Sequence, residues 1–569
     1  MPILSADASD PKWDYYPIEN ISQVEILKGA ASSLYGSAAM EGVIHLRTAV
    51  ATDTPYTMVK LFGGFYDHPS KNDTGFWAKQ KSPRYLSGVT IAHRQTFGPL
   101  KVTASIVINN DDGYRLDDNS YITRANLFMQ YTPTNNNRWV LTFSANGMRD
   151  KGQLFLLANS VDNTYVPVPG TASNYEYYRW HTDFSAKYYI NDQSKIIFRT
   201  RYFTTINNNS TDQSSTGHLW FNEVQYLNQL YRQGKFETNL TAGLDYTLSQ
   251  TISDSLYHNH EGNNIAAYAQ MDQKIGKFNF NIGGRFEINK VDALKWDYAP
   301  VFRAGVNFQA SPSTFLRASF GQGFRYPSVA ERFAATSAGA IKILPNPDLL
   351  SEKGWSSEVG IRQLFGFLGI KGYVDASAFV SEYHNMIDYI FNNYNPAAGL
   401  ADIGFKALNI ENSLIEGAEA SIGLQKDYGK LHVDILGGYT FVLPYNVDSV
   451  GKKLAEPYHE YLSFRHRDMV KGNINISYQK FGLGFYCFYN SPFLNMDQFF
   501  IGFIDGLSKN NYWMPYSSAF VADARVSYKI KHNINLSFIV KNVFNKEYME
   551  VPGNVNAPRS FQVQGVWEF

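Results

Sequence analysis

Three groups of residues in this sequence have side chains and spacings that could do chemistry. His258-Asn259-His260 sets two imidazoles two residues apart, where both could reach one metal ion, but a solvated polar loop is the preferred account of them. Residues 490–516 gather Phe493, Met496, Phe499, Phe500, Phe503, Tyr512 and Trp513. Such aromatic surface suits a flat aromatic ligand or a sugar ring, and also suits loop self-packing or a belt at a membrane interface. Lys28 lies inside a compact, glycine-punctuated stretch, residues 21–48, and its ammonium needs a carboxylate wherever it is enclosed by protein. Acids and bases elsewhere are scattered, with no Gly-x-Ser-x-Gly, no glycine-rich phosphate loop and no His-Glu-x-x-His. No enzyme, no cofactor, no metal site and no nucleotide site is expected, so any work the protein does draws its energy from outside.

The elements that must position these residues are strands. Among 569 residues there are 39 Tyr, 40 Phe and 43 Gly, with aromatics at 15%, the profile of aromatic strands separated by glycine and asparagine turns. A mean hydropathy of -0.30 is compatible with membrane strands, which hide every second residue in lipid. The sequence has no run of about 18 apolar residues, so any membrane crossing must be made by a closed sheet. Lys+Arg and Asp+Glu are 51 each, which argues against a nucleic-acid partner. Cys487 is the single cysteine, so no internal disulfide can form, and a small buried or lipid-facing role is expected for it.

From Tyr56 onward apolar and polar residues alternate. Phe278, Phe280 and Ile282 oppose Asn279, Asn281, Gly283 and Arg285, and Ile534, Leu536, Phe538 and Val540 oppose Asn535, Ser537 and Lys541. About 22 strands can be counted, each expected near the ~9–11 residues that cross a bilayer at a tilt. Short links such as Phe97-Gly98-Pro99-Leu100 and Asn191-Asp192-Gln193 alternate with long ones at 151–177, 322–354, 384–409, 443–469 and 490–516. That alternation predicts an all-β membrane protein, a 22-stranded antiparallel transmembrane β-barrel with turns on one side and loops on the other. The last segment, 560–569, alternates to a terminal Phe569.

Residues 21–48 run Val-Glu-Ile-Leu-Lys-Gly, then Ser-Ser-Leu-Tyr-Gly, then Gly-Val-Ile-His-Leu-Arg-Thr, with Glu25, Gly29, Tyr35, Gly36 and Gly42 at the fixed positions. This resembles the last part of the plug domain of TonB-dependent outer-membrane receptors. Three barrel segments resemble the same family. Phe324-Arg325-Tyr326-Pro327 with Glu331, then Asn346-Pro347-Asp348-Leu349 and Glu358-Val359-Gly360, look like its seventh loop and following strand. Asn412 to Glu419 is similar to a Gly-x-Glu strand, and Val540 to Tyr548 with Pro558-Arg559-Ser560-Phe561 is similar to the closing signature, with Pro558 in place of the usual Gly.

The resemblance implies a partial plug at 1–52 within the lumen of a barrel at 53–569. It implies a Gram-negative outer-membrane location and active uptake of a scarce nutrient, a ferric siderophore or similar metal chelate. Uptake of an oligosaccharide, vitamin or peptide, or passive porin-like conduction, remain as alternatives, with a secreted glycan-binding sandwich or propeller as a more distant rival. It further implies that Lys28 is held by Glu358 and Glu419 on the inner wall, the alternative being a Lys28 that faces luminal water. Implied partners are outer-membrane lipid, the TonB complex through an N-terminal box not found in this sequence, the barrel-insertion machinery through Phe569, and a small-molecule ligand bound by a monomer. The aromatic group Phe493, Phe499, Tyr512 and Trp513 is the expected ligand contact. Haem is disfavoured, since Ser328 to Pro345 contains no His. The N-terminus has no secretory signal, and an internal methionine of a longer protein is the expected origin of Met1.

Overall fold

The computed structural model describes residues 1, 4–28, 32–37, 39–40, 42–70, 75–155, 158–160, 163–338, 341–395, 403–447, 460–496, 517–551 and 553–569. Its wall is a closed antiparallel barrel of 22 strands. The first strand, Tyr56–Tyr66, pairs with the last, Ser560–Glu568, and Thr57 and Phe569 exchange backbone hydrogen bonds of 2.7 and 2.9 Å that seal the seam. Closure leaves no unpaired edge, the condition for a sheet to sit in lipid. Among the described residues no helix is long and apolar enough to cross a membrane.

The alternation seen in the sequence sorts side chains between lipid and lumen. In strand Phe278–Val291, Ile282 and Phe286 are exposed outward while Arg285 and Glu287 are buried inward. In Ile534–Lys541, Leu536 and Phe538 face out and Ser537 is buried. Tight turns gather at one end, beside Tyr56 and Phe569, and long connections at the other.

Strand length departs from the expected ~9–11 residues. Ile370–Asn393 has 24 residues and Ile403–Tyr428 has 26. Their ladder continues past the membrane because backbone groups on a long connection still need partners, and pairing with the neighbouring strand supplies them. The 322–354 connection contains a short helix, Val329–Phe333, and a strand, Ile341–Leu344, that pairs in parallel with Ile403–Tyr428.

The described residues between 4 and 52 lie inside the lumen against the wall. They contain a two-stranded antiparallel sheet, Ile21–Lys28 with Gly42–Thr48, joined through the helical turn Ser32–Tyr35. Gly42 has φ +147°, and a Cβ there would lie 2.5 Å from the Leu27 carbonyl oxygen, so this strand entry admits only glycine.

Candidate functional site

The segment that leads into the luminal hairpin is fixed to the wall by polar contacts, those of Tyr15, Glu19 and Asn20 buried and that of Asp14 partly exposed. Asp14 pairs with Arg179 at 2.9 Å and Glu19 with Arg124 at 2.8 Å. Tyr15 is fully buried; its hydroxyl donates to the Asn146 carbonyl at 2.9 Å and lies 2.7 Å from His181 Nδ1. Burial raises the Tyr15 pKa, keeping the phenol protonated as a donor. Asn20 donates to Ser105 at 2.9 Å and to Asn126 at 3.1 Å. The chain leaving the hairpin returns to the same place: Ala49 N–H donates to the Asn20 carbonyl, and Thr103 donates to the Ala49 carbonyl at 2.9 Å.

The hairpin strands are held differently. Lys28 at the end of Ile21–Lys28 forms an ion pair with Glu419 on Ile403–Tyr428, with side-chain exposures of 57% and 27%. No other ion pair joins these two strands to the wall among the described residues. Glu358 is engaged elsewhere: Arg317 Nε donates to it at 2.7 Å and also binds Asp375 at 2.9 Å. The structure thus brings Lys28 to Glu419 and gives Glu358 to Arg317, on a neighbouring stretch of inner wall. Glu25 is used within the hairpin, 2.8 Å from Arg47 and 3.2 Å from His45. Val24, Ile26 and Ile44 share one face of the hairpin and are 53%, 65% and 46% exposed.

Gly36 sits over a buried charge cluster on the wall, and Tyr35 beside it is exposed. Arg285 binds Asp245 at 2.7 Å and Glu287 at 2.5 Å, and Asn264 donates to Glu287 at 2.7 Å. Gly36, at φ +79°, rests on this cluster, where a Cβ would be 2.9 Å from Arg285 Nη2. Ser37 Oγ accepts from the Tyr326 amide at 3.2 Å, which ties the helical turn to the long connection above. Gly29 lies outside the described residues.

The loop residues chosen from the sequence form one fastened unit. Arg325 holds Glu352 through two bonds of 2.7 and 2.8 Å and Glu331 at 2.9 Å. Glu331 closes a capping box with Ser328, and Phe324 and Pro327 are buried beside them. Asn346 donates to the Ala407 carbonyl at 2.8 Å, and the Pro347 carbonyl accepts from Arg332 at 3.1 Å. These residues shape the loop base rather than expose reactive atoms. The closing signature works in the same way: the Asn542 carboxamide donates to the carbonyls of Lys546 and Ala557 at 2.9 and 3.1 Å.

Phe493 is buried, stacked on His466 at 4.6 Å, and Met496 is buried as well, so this part of the aromatic run packs against the neighbouring 443–469 connection. Phe499, Tyr512 and Trp513, with Phe500 and Phe503, lie outside the described residues. His260 has both ring nitrogens engaged, one with Asp292 at 2.6 Å and one with the Tyr257 carbonyl at 2.7 Å, and it stacks on Phe333.

The luminal network was missed in the sequence. Its signal was available: Asp245 and Glu287 both oppose Ala266 on the strand between them, and this small residue leaves room for the charges to converge.

A family model for the β-barrel of TonB dependent receptor-like proteins matches residues 63–543, and one for the TonB-dependent receptor plug domain matches residues 1–43. Among curated proteins, the vitamin B12 transporter BtuB of Vibrio vulnificus strain YJ016 is 24% identical over 439 residues, covering 73% of this chain and 62% of that protein. The transporter of the same name from Vibrio cholerae O1 El Tor Inaba N16961 is 20% identical over 569 residues, covering 97% and 80%. Among solved structures, the unliganded ferric citrate transporter FecA superposes with a TM-score of 0.74 at 14% identity, covering 100% of this chain and 86% of that one. The siderophore receptor PirA from Pseudomonas aeruginosa gives 0.69 at 15%, covering 98% and 88%. At these identities the structural likeness speaks for the fold.

Proposed function

Because the chain belongs to the TonB-dependent receptors, a family of Gram-negative outer-membrane barrels, we propose that it imports a scarce nutrient, a ferric siderophore or similar metal chelate, through a lumen gated by its plug. The observation that carries this reading is that the described residues between 4 and 52 lie within a closed barrel, firmly fixed along 14–20 and lightly at the hairpin. A freely conducting pore has no use for such an insert. Residues 1–52 are read as the C-terminal portion of a plug, and 53–569 as barrel and loops.

In this mechanism the ligand is captured above the lumen by the long connections. The loop base organised by Arg325, Glu331 and Glu352 keeps their feet in place, while pulling by the TonB complex shifts the plug. Lys28 and Glu419 separate at small cost because both ends of their pair are hydrated. The segment at 14–20 stays seated, since separating Glu19 from Arg124 strands two buried charges. The ligand then passes along the side of the wall that the hairpin vacates.

The iron-chelate reading is supported by the named ligands of structural neighbours. A second reading, uptake of vitamin B12, is favoured by the sequence relatives. Titrating the purified full chain with ferric enterobactin, ferric citrate and vitamin B12, followed by intrinsic tryptophan fluorescence, separates them. A saturable response to one of the three supports uptake of that class. No response to any, together with a large steady current in planar bilayers, would make the protein a passive pore.

A further inference from the structure

We propose that the short-turn end of the barrel is an electropositive collar that binds the anionic phospholipid headgroups of the inner leaflet of the outer membrane. The chain as a whole is neutral, with 51 basic and 51 acidic residues. Its charges are nonetheless divided between the two ends. The short links fall at 97–101, 132–138, 190–195, 232–237, 274–277, 310–313, 367–371, 426–430, 479–480 and 529–533, and together they hold thirteen Lys or Arg against three Asp or Glu. The seam at this end adds Glu568, which accepts from the Tyr56 hydroxyl at 2.8 Å. The rest of the molecule, long connections included, carries the matching acidic surplus.

Four of the turns repeat one arrangement. Gly234-Lys235, Gly276-Lys277, Gly429-Lys430 and Gln479-Lys480 are two-residue links between paired strands. The first residue of each has φ between +53° and +59°, and the lysine follows at the tip, directly before the next strand. All four lysines are exposed, and none has a carboxylate partner among the described residues. Lys277 donates to the Ala310 carbonyl at 3.1 Å and keeps its other protons. The acids nearby are already in use: Asp427 pairs with His432, and Glu237 accepts from Gln229 and Asn239 at 3.1 and 3.0 Å. At the opposite rim, by contrast, Arg149 is paired with Glu176, and Arg467 with Asp468 at 2.8 Å.

Position, belt and residue type decide the partner. The basic residues stand around the whole perimeter, so the complementary surface must surround the barrel, whereas a protein docked on one side would meet only a fraction of them. Exposed rings stand beside the same turns: Phe236, Phe278 and Phe481 follow the lysines directly and are 50%, 40% and 59% exposed. Aromatic pairs join neighbouring strands at this level, Trp139 with Tyr188 at 4.6 Å, Phe278 with Phe308 at 4.5 Å and Phe481 with Tyr528 at 4.9 Å. Such a belt marks the height at which hydrocarbon gives way to headgroups. Lysines just beyond it stand at the level of the phosphates. Lysine also outnumbers arginine here, and its flexible stem lies along apolar surface while the ammonium reaches a headgroup. A phosphatidylglycerol phosphodiester keeps its negative charge uncompensated and is the counter-charge this collar lacks.

The test uses the full chain reconstituted in vesicles of phosphatidylcholine and phosphatidylglycerol, each lipid in turn brominated on its acyl chains, with quenching of tryptophan fluorescence as the readout. Trp139 and Trp567 lie at the short-turn end and report on contact there. Brominated phosphatidylglycerol should quench about two- to fivefold more effectively, mole for mole, at low salt, the range of exposed ion pairs, and ~1 M salt should erase the preference. Lys235→Gln, Lys277→Gln, Lys430→Gln and Lys480→Gln combined should lose most of the preference. Lys151→Gln with Lys290→Gln, whose ammoniums lie over Tyr121 and Trp296 at the opposite rim, should keep most of it. Both variants should keep the heat-modifiable gel mobility of a folded barrel. No preference, a preference unchanged in the folded fourfold variant, or an equal loss in both variants overturns the proposal. Binding of the wild type but not the fourfold variant to purified peptidoglycan, with no lipid preference, overturns it as well and assigns the collar to the cell wall. None of these outcomes depends on which nutrient the barrel carries.

Discussion

Replacing Glu419 with Gln should loosen the hairpin by a few-fold and leave the rest of the molecule alone. The Lys28 and Glu419 side chains are 57% and 27% exposed, so water and salt screen their attraction. Exposed pairs of this kind contribute ~0.2–1 kcal/mol, equivalent to a change of about 1.4- to 5-fold in an opening equilibrium. The Glu19–Arg124 pair is the internal contrast, with exposures of 4% and 8%. Removing one partner of such a buried pair costs ~3–5 kcal/mol, because the other charge is left without compensation. Hydrogen exchange read by mass spectrometry on the folded protein reports both, since exchange follows the local opening free energy. In Glu419→Gln, amides at 21–28 and 42–48 should exchange a few-fold faster, and ~1 M salt should erase most of the difference from the wild type. In Glu19→Gln, protection at 4–20 should fall by more than about a hundredfold. Equal effects of the two substitutions, or a hundredfold effect of Glu419→Gln, would refute the division into a seated part and a lightly held part.

Gly36→Ala should weaken docking of the helical turn by at least ~1–2 kcal/mol, the cost of a left-handed backbone with a Cβ, before its contact with Arg285 is counted; faster proteolysis within 21–48 at unchanged barrel mobility on gels is the readout. Arg285→Met should lower barrel stability in urea-driven folding into vesicles by ~3–5 kcal/mol, and adding Asp245→Leu and Glu287→Leu should recover most of the loss. On the outer face, Ile282→Arg should cost ~2–4 kcal/mol in the same assay, whereas Asn281→Arg on the luminal side should cost far less. Tyr15→Phe removes a buried donor from the Asn146 carbonyl and should cost ~1–3 kcal/mol, measured as a lower unfolding midpoint.

The barrel was legible because its two determinants are local. A two-residue apolar period and the placing of turn residues can be read within ten positions, and the alternations read from Phe278 and from Ile534 begin where the observed strands Phe278–Val291 and Ile534–Lys541 begin. Strand ends were less legible, since Ile370–Asn393 and Ile403–Tyr428 run beyond the membrane with no break in composition at the interface. The luminal contacts were least legible because their partners are remote in sequence. Glu19 and Arg124 are 105 residues apart, and Lys28 and Glu419 are 391 apart. Lys28 and Glu419 came from family resemblance, whereas Arg285, Asp245 and Glu287 could be found only by laying neighbouring strands in register.

Energised import is tested most directly by uptake of radiolabelled ferric chelates and vitamin B12 in cells of the source strain, with and without this gene, before and after a protonophore. Gene-dependent accumulation of one ligand above its external concentration, abolished by the protonophore, is the expected result. Gene-dependent entry that stops at the external concentration and ignores the protonophore would contradict it.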